Sequence, residues 1–200
     1  EIHERLVGSE MCIRDRIKIE LNYSLRVHIF EPVYRSILPE TFDDRMKIRM
    51  VDPMEIFAAK GNALITRAAA RDLYDWCNML SEGLFEEQRD LFRKCFLFYM
   101  TISADTLNKS FDTSAIDTLD FNKIRRDLFP VLNKKDNFQL DERKKIAKNY
   151  ISDLMVLTTK EKEYLDRFEE KKYMPELLFE DAEIVERVEN HPMAPWKCKE

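Results

Sequence analysis

The feature that most constrains the fold is a change in hydrophobic period at Asp52. Before it, apolar and polar residues alternate over residues 17–29 and again over residues 46–50. This period of two predicts half-buried β-strands, the first broken once into two, with a loop around Pro32 and Pro39 between the strand regions. After Asp52 the apolar residues recur at helical spacing. The sequence therefore predicts an α+β fold, in which a sheet of two or three strands precedes a mainly α-helical domain.

A long helix is predicted to begin directly after Asp52. The Asp52 side chain can cap the helix, Pro53 suits the first helical position, and Glu55 follows three residues after the cap. The alanine-rich run that comes next predicts one central helix over residues 53–80, with Gly61 as its weakest position.

Helical signals continue to the end of the chain. The predicted segments are residues 86–101, a helix capped by Asp141, residues 163–168 behind a capping box of Thr158 and Glu161, and a short helix from Asp181 to Val188. The apolar face of the segment after Asp141 is predicted to consist of Ile146, Tyr150, Leu154 and Leu157.

Composition limits the class of protein. The chain has 200 residues, of which 44% are hydrophobic and 36% charged. That balance supports a packed core and excludes a disordered chain. No apolar run approaches the length of a membrane span, so no membrane association is expected. The four cysteines form no C-x-x-C pair, so neither a zinc knuckle nor a disulfide framework is indicated, and we expect reduced thiols and a cytoplasmic location.

The predicted central helix carries the most informative charged cluster. On a continuous helix, Lys60, Arg67, Arg71 and Asp75 share one face. Arg67 and Arg71 are four residues apart, and like charges at that spacing repel each other unless an anion lies between them. A phosphate or a carboxylate would remove this repulsion. A structural salt-bridge face, with Arg71 and Asp75 as an i,i+4 pair, is an equally good interpretation.

Glu20 is a second candidate, on the polar face of the first predicted strand. A glutamate facing solvent is the more common case. A carboxylate that projects from a strand toward a cation cluster is, however, what metal-dependent phosphoryl transfer needs, because Mg²⁺ prefers oxygen ligands and a triphosphate needs positive counter-charge. One carboxylate alone does not make that site.

Residues 123–148 form a locally basic stretch in a chain whose net charge is −5. These cations could follow an RNA backbone, but lysines that keep helix surfaces soluble are the simpler explanation. Three aromatic residues near the stretch, Phe121, Phe129 and Phe138, are expected in the core or in loops.

Several segments resemble the nucleotidyltransferase AbiEii/AbiGii toxin family. They are residues 17–23, 52–60, 67–75, 173–179 and 191–197. The family's hallmark is a lysine, an arginine seven residues later, and an Arg-Asp-x-aromatic-Asp cluster. In this chain the matching residues are Lys60, Arg67, Arg71, Asp72, Tyr74 and Asp75.

The resemblance implies a polymerase β-like nucleotidyltransferase domain with an appended helical domain. It also implies a bacterial toxin, paired with an antitoxin, that transfers a nucleotide from an NTP to an acceptor such as a tRNA end with Mg²⁺ as cofactor. The implied regions are a partial nucleotidyltransferase domain at residues 17–80 and a helical domain at residues 81–200. Residues 1–16 are expected to be a non-native leader, because residues 7–16 resemble a translated sequencing-adapter read-through.

The resemblance also assigns roles to residues. Lys60 and Arg67 would hold phosphate, and Asp75 would position the lysine or the acceptor. Glu20 would be a metal-binding carboxylate of the catalytic centre. Arg71 and Asp72 would contact the substrate or orient its other ligands.

One family motif is missing. Members carry a Gly-Ser or Gly-Gly turn followed by Asp-x-Asp, and no Asp-x-Asp occurs in this chain. Gly8, Ser9 and Asp15 match only part of it. We therefore expect an amino-terminally truncated fragment of a nucleotidyltransferase that is inactive by itself. The alternative is a non-catalytic helical protein-binding module.

Overall fold

A short antiparallel sheet precedes the helices. The computed structural model describes residues 27–36, 47–103, 107–132 and 138–199. Strand β1 (Val33–Ser36) pairs with β2 (Lys47–Met50), and Val33 lies opposite Met50. The prediction of β2 is confirmed. β1 was missed, because Pro32 indicated a loop, whereas a proline just before a strand removes no hydrogen bond from the ladder.

Only the end of the first predicted strand lies among the described residues. Most of residues 17–29 lie outside the described residues, and so does Glu20. Residues 27–32, which are described, form no strand, so the expected strand does not extend to residue 29.

The predicted helix over residues 53–80 is two helices. α1 (Pro53–Thr66) and α2 (Ala70–Ser81) are separated by a break at which Ala68 has a φ of 49°. Ala68 and Ala70 are both buried. Alanine favours helix, but its propensity is a weak preference that tertiary packing overrides. The start of α1 is confirmed, because the Asp52 carboxylate accepts a hydrogen bond from the Met54 amide at 2.8 Å.

α3 (Arg89–Ser103) is the most buried helix of the described chain. It follows a 3₁₀ turn at Glu86–Gln88, so the prediction of a helix over residues 86–101 is confirmed in outline. From position 95 to position 102 every residue is buried, so this part of the helix has no solvent face. The buried residues of α3 are Phe92, Arg93, Cys95, Phe96, Leu97, Phe98, Tyr99, Met100, Thr101 and Ile102.

Six further α-helices follow α3 within the described residues. They are α4 (Ser114–Asp117), α5 (Phe121–Asp127), α6 (Leu140–Leu154), α7 (Thr159–Glu169), α8 (Ala182–Glu189) and α9 (Met193–Lys199). The start signals of two of them are confirmed. Thr158 and Glu161 form a complete capping box for α7, and the Asp181 side chain caps α8.

The prediction for α6 was wrong in its details. Its N-cap residue is Gln139, not Asp141, which lies in the first turn. Its buried residues are Ala147, Ile151 and Leu154, whereas Ile146 is exposed and Leu157 lies beyond the end of the helix. The predicted face was displaced because it began at Ile146 and Tyr150, each one residue before the buried Ala147 and Ile151.

The first two helices share a core with the later ones. α1 packs against α2 and α3, and α2 packs against α6. The two-stranded sheet and the helices confirm the α+β class. The division of the chain at residue 80 stays a prediction, and the predicted leader at residues 1–16 lies outside the described residues. None of the described helices is long and apolar enough to cross a bilayer.

Candidate functional site

The candidate residues lie on both sides of the break between α1 and α2. Lys60 is on α1, Arg67 directly follows α1, and Arg71 and Asp75 are on α2. The prediction that all four share one face of a single helix was therefore wrong. The fold nevertheless brings two of them together, since Lys60 Nζ lies 2.6 Å from Asp75 Oδ2.

The Lys60–Asp75 ion pair joins the two helices. Both side chains are half-buried, so the pair is less screened than one on the open surface. The aspartate fixes the position of the ammonium group. The i,i+4 pair between Arg71 and Asp75 that the sequence suggested is replaced by this contact.

Arg67 and Asp72 form a second ion pair. Arg67 Nη2 lies 3.1 Å and Nε 3.2 Å from Asp72 Oδ2. Asp72 is buried in the first turn of α2, where the helix dipole favours a carboxylate, and Arg67 lies at the carboxyl end of α1, where it favours a cation. The Arg67 side chain is 69% exposed, so its guanidinium can also reach a ligand from solvent.

Arg71 contacts a different helix. Its Nε donates to the main-chain oxygen of Asp127, the last residue of α5, at 3.0 Å. The two arginines therefore have separate partners, which offsets the repulsion expected between them. Arg67 and Arg71 are exposed and Lys60 is half-buried, so the three cations do not form a buried face.

The cluster has a small positive excess. Lys60 and Arg67 each pair with a carboxylate, and Arg71 binds a main-chain oxygen, so the three cations outnumber the carboxylates Asp72 and Asp75 by one. An anion that binds at Lys60 or Arg67 must compete with the aspartate that the cation already contacts. The arrangement can hold phosphate, but it does not present an unopposed positive charge.

The described residues alone do not fit a magnesium ion. No three histidine, cysteine, aspartate or glutamate side chains among them lie close enough to hold a metal. Asp72 and Asp75 each already bind a cation. Glu20, the metal ligand that the resemblance implies, lies outside the described residues.

Sequence reasoning missed the role of Glu55. Its fully buried carboxylate accepts hydrogen bonds from the amides of Ile29 and Phe30, at 2.9 and 3.0 Å, and from Tyr99 Oη at 2.5 Å. Burial, and then the Glu55 charge, raise the pKa of Tyr99 well above its usual value, so its hydroxyl stays a donor. The only signal in the sequence was a glutamate in a capping position.

Most cations of the basic stretch that the structure describes are paired within the protein. Lys148 Nζ binds the Asp117 carboxylate, Lys144 Nζ binds the Asp117 main-chain oxygen, and Lys123 Nζ binds that of Thr118. Phe138, which is partly buried against the core, and Phe129, which lies in the turn after α5, are where they were expected. Phe121 is instead exposed at the start of α5.

Comparison with known families identifies the chain. The sequence model described as nucleotidyl transferase AbiEii toxin, Type IV TA system, matches residues 9–170. The chain belongs to this family. No curated protein and no solved structure shows significant similarity to it.

The AbiEii match includes every candidate site residue, Glu20 among them. It ends before residues 173–179 and 191–197, so these parts of the resemblance lie outside the matched range. Membership in a family of nucleotidyltransferase toxins indicates a transferase, and the type IV toxin–antitoxin class indicates an antitoxin as partner.

Proposed function

We propose that this chain is part of a transferase that moves a nucleotide from an NTP to an RNA acceptor such as a tRNA end in the bacterial cytoplasm. Lys60 and Arg67 bind the phosphates, and Asp75 positions Lys60. The observation that carries the proposal is that Asp75 holds the Lys60 ammonium group at 2.6 Å across the break, while the Arg67 guanidinium at that break is exposed to solvent.

Two other parts of the proposal do not depend on the described structure. One concerns Glu20, and the other concerns a motif that the sequence lacks. Mg²⁺ is the proposed cofactor, with Glu20 as one ligand. The 200 residues contain no Asp-x-Asp, so we propose that they do not catalyse transfer by themselves.

The test uses the full-length gene product that carries this chain, incubated with labelled NTPs, Mg²⁺ and total tRNA. We expect label on the tRNA, and we expect Lys60→Ala to lower the rate on the order of 10²-fold or more, as loss of a group that stabilises transition-state charge does. Lys109→Ala is the matched control, because Lys109 is about as exposed and also pairs with an aspartate. Unchanged transfer by Lys60→Ala would contradict the phosphate-binding role.

A non-catalytic protein-binding module is the second candidate. It is favoured by the internal pairing of Lys60 with Asp75 and of Arg67 with Asp72, which a purely structural role would explain. This alternative predicts no label transfer from the full-length protein. It also predicts that Lys60→Ala weakens folding without changing NTP binding.

A further inference from the structure

An exposed aromatic pair lies at α5. Phe121, its first residue, is 60% exposed, and Phe129, just after its end, is 38% exposed. Their ring centroids are 5.6 Å apart and the rings are nearly perpendicular. Large apolar side chains that cluster on a surface mark a binding site more often than scattered ones do.

Cations lie on the same short helix. Arg125 and Arg126 are both exposed, between the two phenylalanines in sequence. Arg126 binds the Asp127 carboxylate through two nitrogens, at 2.6 and 2.8 Å. Exposed rings next to arginines are the combination by which proteins bind unpaired nucleotides, since bases stack on the rings and phosphates meet the guanidinium groups.

α5 is joined to the candidate site. Arg71 Nε donates to the main-chain oxygen of Asp127, which ends α5. Asp75 lies four residues after Arg71 on α2, a rise of about 6 Å along the helix axis. α5 therefore contacts α2, the same helix that carries Asp75 of the Lys60–Asp75 pair.

We propose that Phe121, Phe129 and Arg125 bind an unpaired stretch of RNA and hold it beside the candidate site. The inference rests on the proposed function for the identity of this RNA as the acceptor. The two exposed rings offer faces on which bases can stack, and the exposed Arg125 offers a counter-charge for phosphate, so the surface fits unpaired RNA.

The experiment measures binding of a fluorescently labelled single-stranded RNA by anisotropy, without NTP. We expect Phe121→Leu/Phe129→Leu, which keeps apolar area but removes the rings, to weaken binding about 10-fold or more. We expect Arg125→Ala to weaken binding and to reduce the slope of log affinity against log salt by about 1. Trp196→Ala is the matched control, because Trp196 is 48% exposed and lies beside Lys197.

Unchanged affinity in the leucine double variant would overturn the inference, and so would an equal loss in Trp196→Ala or equal binding of duplex RNA. Loss of binding to purified antitoxin, with RNA binding intact, would assign the surface to a protein instead. The anisotropy measurement reports RNA binding and does not require nucleotide transfer. RNA binding that depends on the rings, in a protein that transfers no label, would therefore reject the proposed function and leave this inference standing.

Discussion

At the residue scale, Glu55 shows how hydrogen bonds can hold a buried carboxylate, with His28 Nδ1 a further 3.7 Å contact. Three donors, the amides of Ile29 and Phe30 and the hydroxyl of Tyr99, replace the water it loses on folding. Arg187 Nη1 donates to the Ile29 oxygen at 2.8 Å, so the same segment is held from α8. Glu55 thus attaches the chain that precedes β1 to the helical core.

We expect Glu55→Gln to lower the free energy of unfolding by about 1.5 to 3 kcal/mol, because it removes the charge from these hydrogen bonds. Urea unfolding of the 200-residue chain, followed by circular dichroism, measures the change. Glu186→Gln is the control, since Glu186 is exposed on α8. Equal midpoints for the two variants would show that the buried charge contributes nothing.

At the element scale, Gly61 decides how closely α1 packs. A Cβ built at this position would lie 2.3 Å from the Trp76 ring and 2.5 Å from the Phe96 ring. The sequence suggested only that glycine weakens the helix. Glycine is needed here because side chains of α2 and α3 approach α1 closely. This contact is tertiary, so the residues near Gly61 in the sequence do not predict it.

We expect Gly61→Ala to destabilise the protein, although alanine has the higher helix propensity by about 1 kcal/mol. Overpacking a core costs about 1 to 3 kcal/mol, and here the obstacles are two buried rings. Thermal unfolding shows whether Gly61→Ala raises or lowers the Tm. Ala59→Gly, at a partly buried position of the same helix, reports the propensity effect together with the loss of one methyl contact. A rise in Tm for Gly61→Ala would refute the packing argument.

Local signals predicted local structure well. Asp52, Thr158 and Asp181 each cap the helix that the sequence assigned to them, because a cap depends on neighbours two or three residues away. The break at Ala68 could not be predicted in the same way, since it depends on burial of Ala68 and Ala70 by distant parts of the chain. The same holds for the candidate site: its residues were identified, but their pairing across the break was not.

At the scale of the whole molecule, a buried ion pair joins α3 to α7. Arg93 Nε binds both carboxylate oxygens of Glu161, at 3.0 and 3.1 Å. Glu161 also accepts from the Thr158 amide at 2.7 Å, so one side chain completes the capping box and the contact between helices.

We expect Arg93→Met to cost about 3 to 5 kcal/mol, because it leaves the Glu161 charge buried without its cation. Adding Glu161→Gln removes that charge and keeps a capping side chain, so the double variant is expected to be more stable than Arg93→Met alone. A double-mutant cycle in urea measures both. If the two substitutions lowered the free energy of unfolding additively, the energetic coupling between Arg93 and Glu161 would be contradicted.

The pairing of Lys60 with Asp75 has a consequence for selectivity. An incoming anion meets an occupied cation and must exchange places with an aspartate. Under the proposed phosphate-binding role, a polyphosphate, which offers several oxygens at once, would win that competition, whereas weakly charged metabolites would lose it. The internal pair would then discriminate among anions by their charge density.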